Sequence, residues 1–125
     1  MVLRTLDAGR AEAVEALCEL IVPGSRAVGP SVYIDALIAG MPPPVQEAAF
    51  AAIDALAPAA AQGAEALTAH ERTPEFGFVR ALAVEAYYSD FVAPGHEGPG
   101  AWAEIDFNTP LATRLAKNWS YLGIA

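Results

Sequence analysis

"MPPPVQEAAFAAIDALAP", residues 41–58, is the stretch that decides the fold class. Prolines crowd its start, where the first N–H groups of a helix have no intrahelical partner; a proline there loses no hydrogen bond, and its fixed φ already suits the helix. Behind them Val45, Ala49, Phe50, Ile53 and Leu56 recur at three- and four-residue steps, which on a helix form one apolar stripe. The pattern predicts a helix that opens at the prolines and stops before Pro58.

Toward the N-terminus the same grammar repeats. Pro30 and Ser31 open a short helix presenting Tyr33, Ile34, Leu37 and Ile38 until Gly40 ends it. Before it, "PGSRAVGPS" (23–31) is a turn-rich joint. A first helix starts at Asp7, whose carboxylate suits an N-cap, and carries Val14, Leu17, Cys18, Ile21 and Val22 on one side, with Glu12, Glu15 and Glu19 on other faces. Pro23 and Gly24 stop it.

Toward the C-terminus, "AAAQGAEALTAHER" (59–72) has helix propensity but no marked stripe, and Gly63 interrupts it; one or two helical turns are expected. Thr73, Pro74 and Glu75 supply a cap, a first-turn proline and a first-turn acid to a helix running to about Tyr88, lined by Phe76, Val79, Leu82, Ala83, Ala86 and Tyr87. An irregular stretch from Ser89 to Phe107 follows. "NTPLATRLAKNW" (108–119) predicts a further helix capped by Asn108 or Thr109, and "WSYLGIA" closes the chain. No alternating strand pattern and no solenoid-length repeat is present. The expected fold is all-α: a single domain over residues 1–125, a small irregular bundle of about five helices with long Gly/Pro-rich connections.

The bulk numbers bound the function. At 125 residues there is room for one core, and 54 % apolar against 18 % charged residues excludes a disordered chain. A chain this size leaves roughly a third of its unfolded-state surface exposed on folding, so so apolar a composition predicts apolar surface in contact with a partner. A formal charge of −8, with seven basic residues scattered from Arg4 to Lys117, argues against nucleic-acid binding and against an anionic membrane surface. No segment is long enough for a membrane span and the N-terminus is not a signal peptide, so no membrane insertion and a cytoplasmic location are expected. Cys18, the sole cysteine, fits a reducing compartment and lies on an apolar helical pattern as a small core residue.

Chemistry-bearing motifs are few. Cys18, His70 and His96 are too dispersed for a zinc signature. "GHEGPG" (95–100) follows a helix, not a strand, and lacks the strand–turn–helix setting of a dinucleotide loop. No nucleophile elbow or phosphate loop is present, and Ser25, Ser31, Ser89 and Ser120 sit at turns or caps. His96 with Asp90 or Glu97 could serve as an acid–base pair, against the plainer reading of a solvated loop histidine. Tyr87 and Tyr88 point about 100° apart on a helix, so only one of them can face the core. With Phe91, Trp102, Phe107, Trp119 and Tyr121, the aromatic side chains concentrate in the last third, as in the centre of an interface. Trp102 and Phe107 could equally fold the irregular stretch back onto the bundle. Trp119, Tyr121, Leu122 and Ile124 are read as an external docking surface.

"LCELIVPGS" (17–25), "YIDAL" (33–37) and "EAYYSDF" (85–91), ahead of a Gly/Pro loop and Trp102, together resemble the gluconate 2-dehydrogenase subunit 3 family. The likeness spans roughly Leu17 to Trp102. It implies a small helical subunit that is not itself catalytic and holds no cofactor or metal, but binds and stabilises a large FAD-dependent oxidoreductase of the glucose-methanol-choline (GMC) type acting on a sugar, polyol or related alcohol. The resemblance makes Ile21–Ser25 and Tyr87–Asp90 structural or docking elements. The candidate partner interface is therefore Tyr87, Tyr88, Asp90, Phe91, His96, Trp102, Trp119, Tyr121, Leu122 and Ile124. The family's frequent twin-arginine leader is not found at the start of this sequence, which points to a cytoplasmic partner. The segment from Gly63 to Arg72 is plainer than the family's middle region, and the ending from Ile105 onward does not map onto it. A stand-alone enzyme built around His96 and a self-associating helical scaffold are the alternatives.

Overall fold

A computed structural model describes residues 2–104 and 120–124. The helices are α1 (Ala8–Ile21), α2 (Pro30–Ala39), α3 (Pro43–Gln62), α4 (Ala64–Thr68), α5 (Pro74–Tyr88) and α6 (Ala101–Glu104), with 3-10 turns at Ser25–Val28 and Ser120–Leu122. No strand occurs among the described residues. The fold is an all-α small helical bundle, as the periodicity predicts. The helix expected over 108–119 lies outside the described residues.

The caps explain where the helices begin. The Asp7 carboxylate accepts the Arg10 N–H at 2.8 Å, and the Thr73 hydroxyl accepts the Phe76 N–H at 3.2 Å, each satisfying a donor that the first helical turn leaves open. Gly29 enters α2 at φ 67, a left-handed conformation, and Pro30 follows at the first helical position.

α3 departs from its expected end. It continues through Pro58 for another turn to Gln62 and stops at Gly63. Proline removes one hydrogen bond, to the carbonyl four residues earlier, and here that carbonyl belongs to exposed Asp54, on the water side of the helix. Ala59 and Ala60, both buried, hold the last turn against the core. Val45, expected on the core stripe, is 38 % exposed because it lies in the first turn, ahead of the packed face. Phe50 is only partly buried and is covered by the Arg10 guanidinium, 4.7 Å from its ring centre.

α3 is the central helix, packed against α1, α4 and α5, while α2 lies across α1 and α5. Leu17, Ile34, Ile38, Ile53, Leu56 and Phe91 are fully buried between them. Cys18 is among them, and burial pushes its thiol up to about 12, with Glu15 adding to the shift, so it is a core residue without nucleophilic character.

A smaller satellite core stands apart from the main one. Val22, Val28, Tyr87 and Ala101 form it, with Ile21, Val84 and Val92 packed around. It joins the α1–α2 joint to the end of α5 and the loop beyond.

Candidate functional site

The site grows from three glutamates on α1. Glu12, Glu15 and Glu19, at offsets of three and four residues, share one helix face. That face meets the turn-rich joint, where Ser25, Ala27 and Gly29 donate to backbone carbonyls. Glu19 accepts the N–H of Gly24 at 2.5 Å and of Arg26 at 3.1 Å; Glu12 pairs with the Arg26 guanidinium at 3.1 Å; Glu15 accepts the Ser31 N–H at 2.8 Å. Glu15 thus caps α2, which has no side-chain cap of its own. Burial pushes the Glu15 carboxyl above its ordinary value, opposed by Ser31, Arg26 and His96.

The second half is the Gly/Pro loop. At its base Asp90, 4 % exposed, adopts φ 65, uncommon for a residue with a side chain. Its carboxylate accepts the Trp102 N–H at 3.2 Å, and the Trp102 indole N–H donates to the Tyr88 carbonyl at 2.9 Å. Gly100 lies so close to the Asp90 carboxylate that a Cβ there would fall 2.2 Å from its oxygen. The loop therefore leaves and returns at one point.

Between the halves, the Ala93 N–H donates to the Val28 carbonyl at 2.8 Å. Gly29 sits directly under the loop: a Cβ on it would stand 2.7 Å from Ala93 and 2.9 Å from the His96 ring. Joint and loop, some 65 residues apart in sequence, are one platform over the satellite core.

The candidate interface residues separate on this geometry. Phe91 is fully buried beside Tyr33, ring centres 5.3 Å apart, and Tyr87 is buried in the satellite core with Tyr88 edge-on to it at 5.1 Å. Leu122 is buried and Ile124 partly so, both against the main core. Asp90 and Trp102 close the loop. Tyr88, 45 % exposed, and His96 reach the platform's outer surface. Tyr121 is 68 % exposed and its hydroxyl is hydrogen-bonded to Tyr33, the ring beside Phe91. Trp119 and Phe107 lie outside the described residues. The His96 ring lies over Gly29, where a Cβ would stand 2.9 Å from it, and the Asp90 carboxylate accepts the Trp102 N–H.

Sequence reasoning missed Asp35. It stands on α2 between buried Ile34 and Ala36, is 3 % exposed, and accepts the backbone N–H groups of Arg4 (2.9 Å), Thr5 (2.8 Å) and Leu6 (2.9 Å) and the Thr5 hydroxyl (2.8 Å). Burial alone would raise its carboxyl; the donors from Arg4, Leu6 and Thr5 overcome that and hold it below the ordinary range. The available signal was a charge inside an apolar helical pattern. Among the described residues no cluster of three or more His, Cys, Asp or Glu is arranged for a metal, and no helix is long and apolar enough to cross a membrane. Compared with protein-family models, curated proteins and solved structures, the chain finds no match.

Proposed function

We propose that this chain is a non-catalytic small subunit that binds and stabilises a large FAD-dependent oxidoreductase of the GMC type, acting on a sugar, polyol or related alcohol. The observation that carries the reading is the platform. Two of the stretches that bear the family resemblance, Leu17–Ser25 and Glu85–Phe91, meet there with Trp102, although nothing in their sequence spacing requires it.

The loop between them is fastened by Asp90, by the Val28 carbonyl and by the fit of His96 onto Gly29. A fastened loop loses little conformational entropy on docking, which is the advantage of a preorganised interface. Tyr88 is its exposed aromatic ring, the side-chain type that dominates binding energy at interface centres. The subunit's action is mass action: binding only the folded partner stabilises it in proportion to the logarithm of concentration over dissociation constant.

The test is co-expression with a candidate large subunit. Copurification with a yellow, FAD-containing chain, weakened about thirtyfold by Tyr88→Ala, is the expected result. Full solubility and activity of the large chain expressed alone, or unchanged binding by Tyr88→Ala, would overturn it.

A further inference from the structure

The end of α1, α4 with the turn after it, and the first half of α5 meet around a groove of about 230 Å³, whose lining shares only Ile21 with the satellite core. Its origin is local. Gly63 ends α3, and the α4 helix that follows is five residues long. Buried Leu67 ties α4 to the main core, while Ala64 and Thr68, at an offset of four residues, line the groove with small exposed side chains. The Thr68 hydroxyl is turned back to the Ala64 carbonyl at 3.0 Å. The floor is apolar: Leu20 and Ile21 of α1 and Phe76 of α5 are half-buried and packed on the main core.

Two charges complete the lining, Glu71 in the turn after α4 and Arg80 on α5, both exposed. The Glu71 N–H donates to the Thr68 carbonyl at 3.2 Å, which ties down the backbone of that turn. Among the described residues neither the Glu71 carboxylate nor the Arg80 guanidinium makes an ion pair or a hydrogen bond. In a chain of formal charge −8, the groove's own charges thus balance. Its complement is a ligand that carries a carboxylate and an ammonium beside an apolar group. The volume narrows the class, since sites for drug-sized molecules run to about 300–1,000 Å³ and this one suits a molecule of amino-acid size.

We infer that the groove binds a free α-amino acid with an apolar side chain, of the leucine or phenylalanine kind. The Arg80 guanidinium takes the ligand carboxylate, the Glu71 carboxylate accepts from its ammonium, and the side chain covers Leu20, Ile21 and Phe76. A lone carboxylate would meet Glu71 as a like charge and a lone amine would meet Arg80 as one; a zwitterion gives each its opposite. This site is separate from the docking reading and does not depend on it.

Two-dimensional NMR of the full ¹⁵N-labelled chain, titrated with L-leucine and L-phenylalanine, tests it. The amides of Leu20, Leu67, Thr68 and Arg80 are expected to shift and to saturate with a Kd of about 1 mM, while those of Tyr88 and Ala93 stay in place. Arg80→Gln and Glu71→Gln, both at exposed positions, are each expected to weaken binding about fivefold. L-Leucinamide, which lacks the carboxylate, and N-acetyl-L-leucine, which lacks the ammonium, should each bind the wild type about fivefold more weakly than L-leucine. No saturable shift up to about 10 mM would overturn the proposal. Affinity unaltered in either variant, or equal for either analogue, would mean apolar adsorption only and would overturn it too. So would shifts of the same amides that follow protein concentration without ligand, which would assign the groove to a second copy of the chain.

Discussion

Asp35 and Asp90 are buried alike, at 3 % and 4 % exposed, and both accept backbone N–H groups, yet they tie the molecule together on different scales. Asp35 bridges about 30 residues, from α2 to residues 4–6, and the Arg4 whose N–H it accepts also donates its guanidinium to the Leu122 carbonyl. Asp90 bridges 12 residues and closes the loop that it begins. A buried carboxylate persists only where donors compensate its lost hydration. What the pair teaches is that the same compensation can anchor a whole bundle or fasten one surface, depending on how far along the chain the donors lie.

The largest expected effect is at the long-range anchor. Asp35→Ala strands three backbone N–H groups, that of Leu6 buried and those of Arg4 and Thr5 part-buried. The expected loss is about 3–5 kcal/mol, a large share of the roughly 5–15 kcal/mol that holds a domain folded. Denaturant unfolding followed by circular dichroism measures it. Because its donors hold the Asp35 carboxyl below the ordinary range, its contribution is fully present above that range and is lost as pH falls through the lowered value. The acid-side fall in wild-type stability should accordingly be shallower in Asp35→Asn.

Next comes the short-range tie. Asp90→Ala is expected to lose about 1–2 kcal/mol, with the damage confined to residues 91–102: hydrogen exchange should quicken there and stay unchanged in α3. Gly100→Ala should produce the same local pattern, since its Cβ would displace the Asp90 carboxylate from Trp102. If Asp90→Ala were as damaging as Asp35→Ala, or loosened α3, the distinction between bundle anchor and surface fastener would fail.

The same difference of scale explains how far the sequence could be read. α1, α2, α3 and α5 announce themselves because helix periodicity is a local property: Val14, Leu17 and Cys18, or Ile53 and Leu56, fall on one face whatever the rest of the chain does. Their starts were legible from Asp7, Pro30, Pro43 and Thr73 for the same reason. Pro58 misled because its rule concerns one hydrogen bond, and whether that bond faces water is a tertiary fact. That only one of Tyr87 and Tyr88 faces the core followed from helix geometry, though the candidate interface includes both and Tyr87 is buried. Nothing local says that Glu15 and Glu19 hold backbone N–H groups of a joint and Glu12 its Arg26 guanidinium, that Asp35 holds residues 4–6, or that Gly29 lies beneath His96. Each needs two distant segments brought together before its purpose exists.

The smallest expected effect lies inside the platform. Glu15 is half-buried and capped onto Ser31, and its burial raises its carboxyl, so the folded chain takes up a proton there more readily than the unfolded one. For a carboxyl shifted in that direction, stability rises as pH falls from the raised folded value toward the unfolded one, opposite in sign to Asp35. Glu15→Gln removes the charge but keeps an oxygen to accept the Ser31 N–H, so its stability at neutral pH should stay within about 1 kcal/mol of wild type. Thermal unfolding across the mildly acidic range separates the two aspects of this residue. The wild type should gain stability on acidification relative to Glu15→Gln, and equal curves would mean that the Glu15 carboxylate is hydrated in solution and caps α2 without being desolvated.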